Sequence, residues 1–359
     1  MLTEEQTLLL EAAGGFFAEQ APVALRRRVR DDRKSKGVDA GLWRAMGEMG
    51  FAGVLVPEAD GGSGLGPVEA GLIALAAGRT LAPSPFLSSG VMAAAALAGG
   101  GEAERLGALA AGEAVIGLAV DEEGRHAPDR LTCQAEASGN GCRLTGAKTF
   151  VLDGAAADAF VVAAADAEGA GLFLVEGGAD GLTRETDVLL DGSQSARLAL
   201  EGAPAQRLGG ADLVERFLSL GRACAAAEMT GLAEGVFALT GEHLRTRKQF
   251  GVEIGRFQAL QHRAAHLFCE IELARAGTLK ALRLLEADAA DAAFAVAAAK
   301  AKAGQVAALA VQEAVQMHGG MGMTDEADPG LYMKRQRLLD RLLGDADQQR
   351  ELAARALGY

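Results

Sequence analysis

Behind a Thr3–Gln6 pair with the spacing of a capping box, apolar residues recur at Leu8, Ala12, Phe16 and Phe17. That is a helical period. The segment LWRAMGEMGFAGVLVPEADGGSGLG reads as a helix end running into a loop, marked by Pro57 and the glycines that follow. GPVEAGLIALAAGRTLAPSP reads as another helix, stopped by Pro83 and Pro85. Near Glu113 the pattern changes. AVIGLAV, RLTCQAE, CRLTGAKTFV, DAFVVAAA and GLFLVEG are short strand-like runs separated by Gly, Asp and Asn, which suggests an antiparallel sheet or barrel ending near Leu208. From Asp212 the helical period returns, over 212–247, 254–285, 287–317 and 329–357, with connections short enough for antiparallel neighbours in a bundle.

The expected fold is therefore mostly α with a middle β domain. An N-terminal helical domain (1–113) precedes a small β-barrel or sandwich (114–209) and a C-terminal four-helix bundle (210–359). No internal repeat interrupts this order.

Composition narrows the picture. Half the residues are apolar but only 4% are aromatic, so the helices must pack closely through small side chains, alanine above all. A net charge of −13 argues against nucleic acid as a partner, since phosphate binding needs a basic face. The apolar stretches around Val91–Ala98 and Ala292–Ala299 are too short to suggest a membrane span, which takes about 20 residues. Cys133, Cys142, Cys224 and Cys269 have no C-x-x-C spacing and read as reduced thiols of a cytoplasmic protein. The N-terminus is acidic from Glu4 and lacks a basic n-region, so no signal peptide is expected.

Two stretches carry candidate chemistry. In TRKQFGVEIGRFQALQH, Arg247, Gln249 and Phe250 precede Gly251, and Gly255 precedes a run beginning Phe257, Gln258, Leu260, Gln261 and His262. By itself this is a helix corner or a nucleotide clamp: a cation for a diphosphate, an amide for a base edge, a ring for stacking. In QMHGGMGMTDE, Gly319, Gly320 and Gly322 let a backbone approach a ligand closely, and its N–H groups can cradle phosphate oxygens.

Taken together, R-x-Q-F-G-x-x-I-x-x-F-Q-x-x-Q-H followed by Q-x-H-G-G-x-G-x-T-x-E resembles the acyl-CoA dehydrogenase family. The resemblance spans essentially the whole chain. It is strongest from Arg222 to Arg335 and thin in the β domain. It implies FAD as cofactor, an acyl-CoA substrate, and an electron-transfer flavoprotein as electron acceptor. It also implies a homo-oligomer, dimer or tetramer, or a heteromer with a related subunit. On this resemblance Arg247, Gln249 and Phe250 face the diphosphate and adenosine side of a neighbour's FAD. Ile254, Phe257, Gln258 and Leu260 line its adenine and ribose, and Gln316, Gly319 and Gly320 cradle its diphosphate. Phe150, in KTFVLDG, stacks on the flavin where the family often has tryptophan. Leu152 and Asp121 stand where threonines are usual, and a carboxylate at Asp121 would disfavour an anionic reduced flavin by like-charge repulsion.

The family's chemistry needs a glutamate to take the substrate Cα proton. Its two usual positions fall here on Leu343 or Gly344, and on Gly221 beside Arg222. None is an acid. Glu228, two helical turns beyond Gly221 in the apolar stretch ACAAAEMTGLA, is one replacement, with burial expected to raise its pKa. Asp345 is another. The remaining option is a subunit without a base, completing the FAD site of a mixed assembly, as in members acting on bulky acyl-CoAs such as steroid side-chain thioesters. His262 and His266, four apart on a helix, have no evident third ligand, and no metal is expected. The charge run Ala24–Lys36 reads as a solvated helix end and loop.

Overall fold

The first helix, α1 (Glu4–Gln20), begins where the sequence places it. The Thr3 hydroxyl accepts from the Gln6 N–H at 3.1 Å and the Gln6 side chain accepts from the Thr3 N–H at 3.2 Å. Its buried residues are Leu10, Ala13 and Phe17, so of the recurring apolar positions Leu8, Ala12, Phe16 and Phe17 only the last is buried. The apolar residues of α1 nearly encircle it, so sequence period alone does not choose the face. The computed structural model describes residues 2–139 and 141–359, without the side chain of Arg33.

The chain continues through α2 (Val23–Asp31), α3 (Ala40–Glu48) and α4 (Pro67–Thr80). A π-helical segment, Phe86–Ala93, runs directly into α5 (Ala94–Gly100), and α6 (Ala103–Ala110) follows. Then come β1 (Ile116–Ala119), β2 (Gln134–Ser138), β3 (Gly141–Val151), β4 (Ala159–Asp166), β5 (Gly169–Glu176), β6 (Leu182–Val188) and β7 (Gln194–Gly209). The C-terminal part holds α7 (Ala211–Thr246), a hairpin of β8 (Lys248–Gln249) and β9 (Val252–Glu253), α8 (Gln258–Glu286), α9 (Ala292–His318), α10 (Pro329–Arg341) and α11 (Ala346–Ala356).

Two compact units gather these elements. One contains 28–70 and 83–221. Its sheet closes on itself: β4 pairs β2, β2 pairs β3, β3 pairs β7, β7 pairs β5 and β5 returns to β4. Closure reduces the open edges that an isolated sheet would present, leaving those of β1, whose only strand partner among the described residues is β4, and β6, whose only strand partner is β7. Phe160, Val162, Phe173, Val175, Leu198 and Leu200 fill the interior. The expected antiparallel pattern needs amendment, because β1 and β2 both pair β4 in parallel. The strands β6 and β7 were not singled out by pattern. β6 is polar and largely exposed, and β7 contains Gly202 and Pro204, which read as breakers.

The other unit contains the chain up to Arg27, 71–82 and 222–359. Its centre is the alanine-rich α9, whose Ala303, Val306, Ala307, Ala310, Val311 and Ala314 are all buried. The segment Ala292–Met323 is long and apolar enough to cross a membrane, but 67% of its most apolar window is buried within the protein. α4 meets α7 without intervening side chains: a Cβ on Gly231 would overlap the Leu75 carbonyl, and one on Gly78 the Glu228 carbonyl. The Tyr332 hydroxyl donates to the Arg79 carbonyl at 2.7 Å and pins α10 beside them.

The expected fourth bundle helix over 329–357 is two helices. Leu343 and Gly344 adopt left-handed φ of 59° and 98°. Asp345 then starts α11 through a capping box with Gln348, at 3.0 and 3.1 Å. The apolar period runs through Leu338, Leu339, Leu342 and Leu343, which hides the break.

Candidate flavin-binding and catalytic sites

The corner after α7 is a tight hairpin. Lys248 pairs Glu253 and Gln249 pairs Val252, leaving Phe250 and Gly251 as its two loop residues. Both have positive φ, 55° and 83°, the pattern of a type I′ turn, which favours Asn–Gly. A phenylalanine there is strained, yet its side chain is 91% exposed, and its one ring contact among the described residues is the edge of Phe257, 6.0 Å between ring centres. Strain without packing benefit points to a ligand. Arg247, beside it, is exposed and forms no ion pair among the described residues, whereas Lys248 and Arg256 both approach Glu253.

Beyond α9, Gly319 takes φ 64° and ψ −145°, a conformation essentially reserved for glycine. Nothing lies within 4 Å of where a Cβ would stand on Gly319 or Gly320. Gln316 is exposed. A free guanidinium, an exposed ring pair and an open glycine turn therefore fit a dinucleotide. The two stretches also belong together in space. His243, in the last turn of α7, stacks on His318, the last residue of α9, with ring centres 4.2 Å apart and planes 22° from parallel. Sequence reasoning missed this pair, although His243 stands just before the first motif and His318 lies within the second. A cavity of about 500 Å³ opens nearby, lined by Leu244, Gly255, Gln261, Leu267 and Met317. It takes Gly255 and Gln261 from the hairpin corner, while Phe257, Gln258 and, partly, Ile254 and Leu260 remain at the surface.

In the barrel unit, Phe150 sits in a bulge where β3 slips against β7, with φ 50° and 55% of its surface exposed. Thr149 donates its N–H to the Asp121 carbonyl at 2.8 Å, and Leu152 bridges Leu118. Phe150, Leu152 and Asp121 thus converge. The Asp121 carboxylate lies 2.7 Å from Nδ1 of the buried His126, five residues on. Deeper, the fully buried Lys148 donates to the Val120 carbonyl and to Glu122 at 2.7 Å. Burial pushes the Glu122 carboxyl up, but hydrogen bonds from Lys148, Thr132 and Cys133 outweigh it and hold the group below the usual range.

The candidate bases are occupied. Glu228 is 8% exposed, but Arg335 donates to its Oε1 from Nε at 2.9 Å and from Nη2 at 2.6 Å. The expected uncompensated burial is absent, because a guanidinium 107 positions away answers it. Asp345 caps α11 with Oδ1 and takes Arg341 on Oδ2 at 2.7 Å. The joint beside it is clamped through its backbone. Arg222 and Gln349 donate to the Leu343 carbonyl at 3.2 and 2.8 Å, and Lys300 donates to the Gly344 carbonyl at 2.6 Å. Lys300 is only 2% exposed. Burial, with Arg222 nearby, pushes its pKa down to about 7 against the opposing pull of Asp340 and Asp345. A side chain at position 344 would meet the Gln349 amide at 2.8 Å. Among the described residues no group of three His, Cys, Asp or Glu side chains is placed to hold a metal.

One unit that is a helical bundle with two motif corners open to a dinucleotide, and another that is a closed barrel, are the parts of a flavoenzyme architecture. The chain belongs to the acyl-CoA dehydrogenase family. Residues 3–112 match the model of its N-terminal domain and 209–358 that of its C-terminal domain. The family's enzymes are FAD-dependent. Acyl-CoA dehydrogenase FadE27 of Mycobacterium tuberculosis is 32% identical over 340 residues, covering 91% of this chain and 90% of that protein. Among solved structures, the Tcur3481–Tcur3483 steroid ACAD G363A variant superposes with a TM-score of 0.92 at 30% identity, covering 99% of this chain and 98% of that one. The ChsE4–ChsE5 complex from Mycobacterium tuberculosis gives a TM-score of 0.92 at 29% identity, covering 100% and 98%.

Proposed function

We propose that this chain takes part in FAD-dependent α,β-desaturation of an acyl-CoA thioester in the cytoplasm, as the subunit that grips FAD across an interface while a related subunit supplies the base. The observation that carries this reading is the state of its carboxylates. Glu228 is committed to Arg335 and Asp345 to a helix cap, so neither is left to accept a Cα proton. The similar structures named as pairs, Tcur3481–Tcur3483 and ChsE4–ChsE5, support a mixed assembly. The steroid in one of those names supports a bulky acyl group.

Bound FAD would supply a hydride acceptor for the substrate Cβ, with an electron-transfer flavoprotein as the fitting acceptor for the electrons. The residues of this chain grip and orient. Arg247 meets the diphosphate as a charge-assisted donor. The turn at Gln316, Gly319 and Gly320 offers backbone N–H groups to the same oxygens. Phe250 and Phe257 present faces to the adenosine end, flanked by Gln249, Ile254, Gln258 and Leu260. Phe150 provides an aromatic face for the flavin ring, and Asp121, paired with His126, sets the polarity beside it.

The test is expression of the chain alone and together with a related subunit that has a glutamate at either usual position. Flavin absorbance is followed while an acyl-CoA is added without oxygen. The expected outcome is bleaching only when both are present. Bleaching by this chain alone, abolished by Glu228→Gln, overturns the base-lacking role. A chain that takes up no FAD in either form overturns the flavin reading.

A further inference from the structure

We infer that His243 and His318 are a positioning pair for the FAD grip: their ring stack sets the spacing between the Arg247–Phe250 corner and the Gly319–Gly320 turn, and it does so only while the pair stays uncharged. The inference rests on the FAD reading above and adds His243, which neither motif contains, together with a role for His318, which the second motif contains without one.

The geometry is direct. The Arg247 N–H donates to the His243 carbonyl at 2.9 Å, so the last turn of α7 leads straight into the corner. His318 precedes Gly319 with no residue between. Its Nδ1 lies 2.7 Å from the Ala314 carbonyl, which makes Nδ1 the protonated donor and fixes the ring plane. The two rings then face each other at 4.2 Å. Phe250, Gln249, Gln316 and Gly320, the neighbours that could otherwise tie the corner to the turn, are all exposed.

Charge decides when the stack holds. Burial, His318 and the Arg247 guanidinium all push the His243 pKa down. The C-terminal dipoles of α7 and α9 oppose this, but a dipole favours a cation only modestly. Several ionisable groups on the packed elements are engaged elsewhere. Glu242 pairs with Arg245 on α7, Arg263 of α8 with Glu313 of α9, and His266 lies beside Glu270, which holds Lys302. No carboxylate among them is paired to the two rings. Because the native state disfavours the proton, the stack's contribution is present above the ordinary histidine pKa of about 6.5. It is lost as pH falls below that value.

The experiment is FAD titration, by flavin fluorescence, of the assembly that takes up FAD, from pH 8 to pH 5.5. For the wild type, the apparent Kd should rise roughly 5-fold or more across that range. His243→Phe and His318→Phe keep a flat ring without a charge, so each should bind FAD within about 2-fold of the wild type at pH 8 with little pH dependence. His243→Ala removes the ring and should bind weakly throughout. A flat wild-type profile, tighter binding in acid, or pH dependence that survives both phenylalanine variants overturns the inference. Should a variant not fold, imidazole NMR titration of the wild type decides: the pair must titrate over the window in which Kd rises, and separate windows overturn it. Absence of FAD uptake at pH 8 instead overturns the flavin reading, and this inference with it.

Discussion

The bundle unit has two regions of opposite character. The corner after α7 and the turn after α9 leave their polar and aromatic groups unspent: Arg247 without a carboxylate, Phe250 in solvent, Gly320 facing open space. The joint between α10 and α11 spends most of its groups, although Gln349 Oε1 is buried without a partner among the described residues. Its carbonyls are taken by Arg222, Gln349 and Lys300, and its carboxylate by a helix cap and Arg341. Groups held available suit a ligand from outside, whereas groups consumed internally define shape. The joint, where Leu343 and Gly344 stand, is held by hydrogen bonds to its backbone.

The contrast is broken most severely by removing the cation beside Glu228. Arg335→Met leaves a buried carboxylate unpaired and should cost about 3–5 kcal/mol, read by denaturant unfolding. The reciprocal Glu228→Gln, in the working assembly, should lower turnover by less than about 10-fold, against the roughly 10²–10⁴ expected for a catalytic base. Lys300 gives the next effect. Its folded pKa of about 7 lies well below the ordinary value, so the folded state resists the proton. Stability should therefore rise with pH from about 7 to about 10.4, by up to about 1.4 kcal/mol per pH unit. Lys300→Met should flatten that slope in urea unfolding measured at several pH values.

At the opposite region, Arg247→Ala should leave the thermal midpoint nearly unchanged and weaken FAD binding about 10- to 100-fold, the worth of one charged hydrogen bond. The smallest effect separates the two regions within one residue. Phe250→Asn suits the left-handed turn and should stabilise the chain by up to about 1 kcal/mol, while FAD affinity falls several-fold through loss of the ring. A variant that becomes more stable as it binds less well would identify the strain at Phe250 as functional.

Local features were legible in the sequence and distant ones were not. The Thr3–Gln6 cap, the proline stops at 83 and 85 and the alanine-rich α9 depend on neighbours within a few positions, and all are observed. The corner and the glycine turn could be read because special backbone conformations demand special residues, as at Gly251 and Gly319. The partners of Glu228 and His243 lie 107 and 75 positions along the chain, beyond any periodic signal. The break at Leu343 had a signal, Gly344 then Asp345 with Gln348, but four leucines carried the helical period across it. β7 was obscured because one strand serves β3, β5 and β6 and bends to do so, which places Gly202 and Pro204 where strands usually have neither.

The exposed Phe250 hairpin has a thermodynamic corollary. When one subunit's side chains hold the cofactor of another, FAD binding and subunit association are a single linked equilibrium. Each tenfold rise in free FAD above its dissociation constant would strengthen the coupled assembly by about 1.4 kcal/mol for each site filled. The cell's flavin supply would then set how much of this chain is assembled, and an unassembled copy would carry its phenylalanine in water.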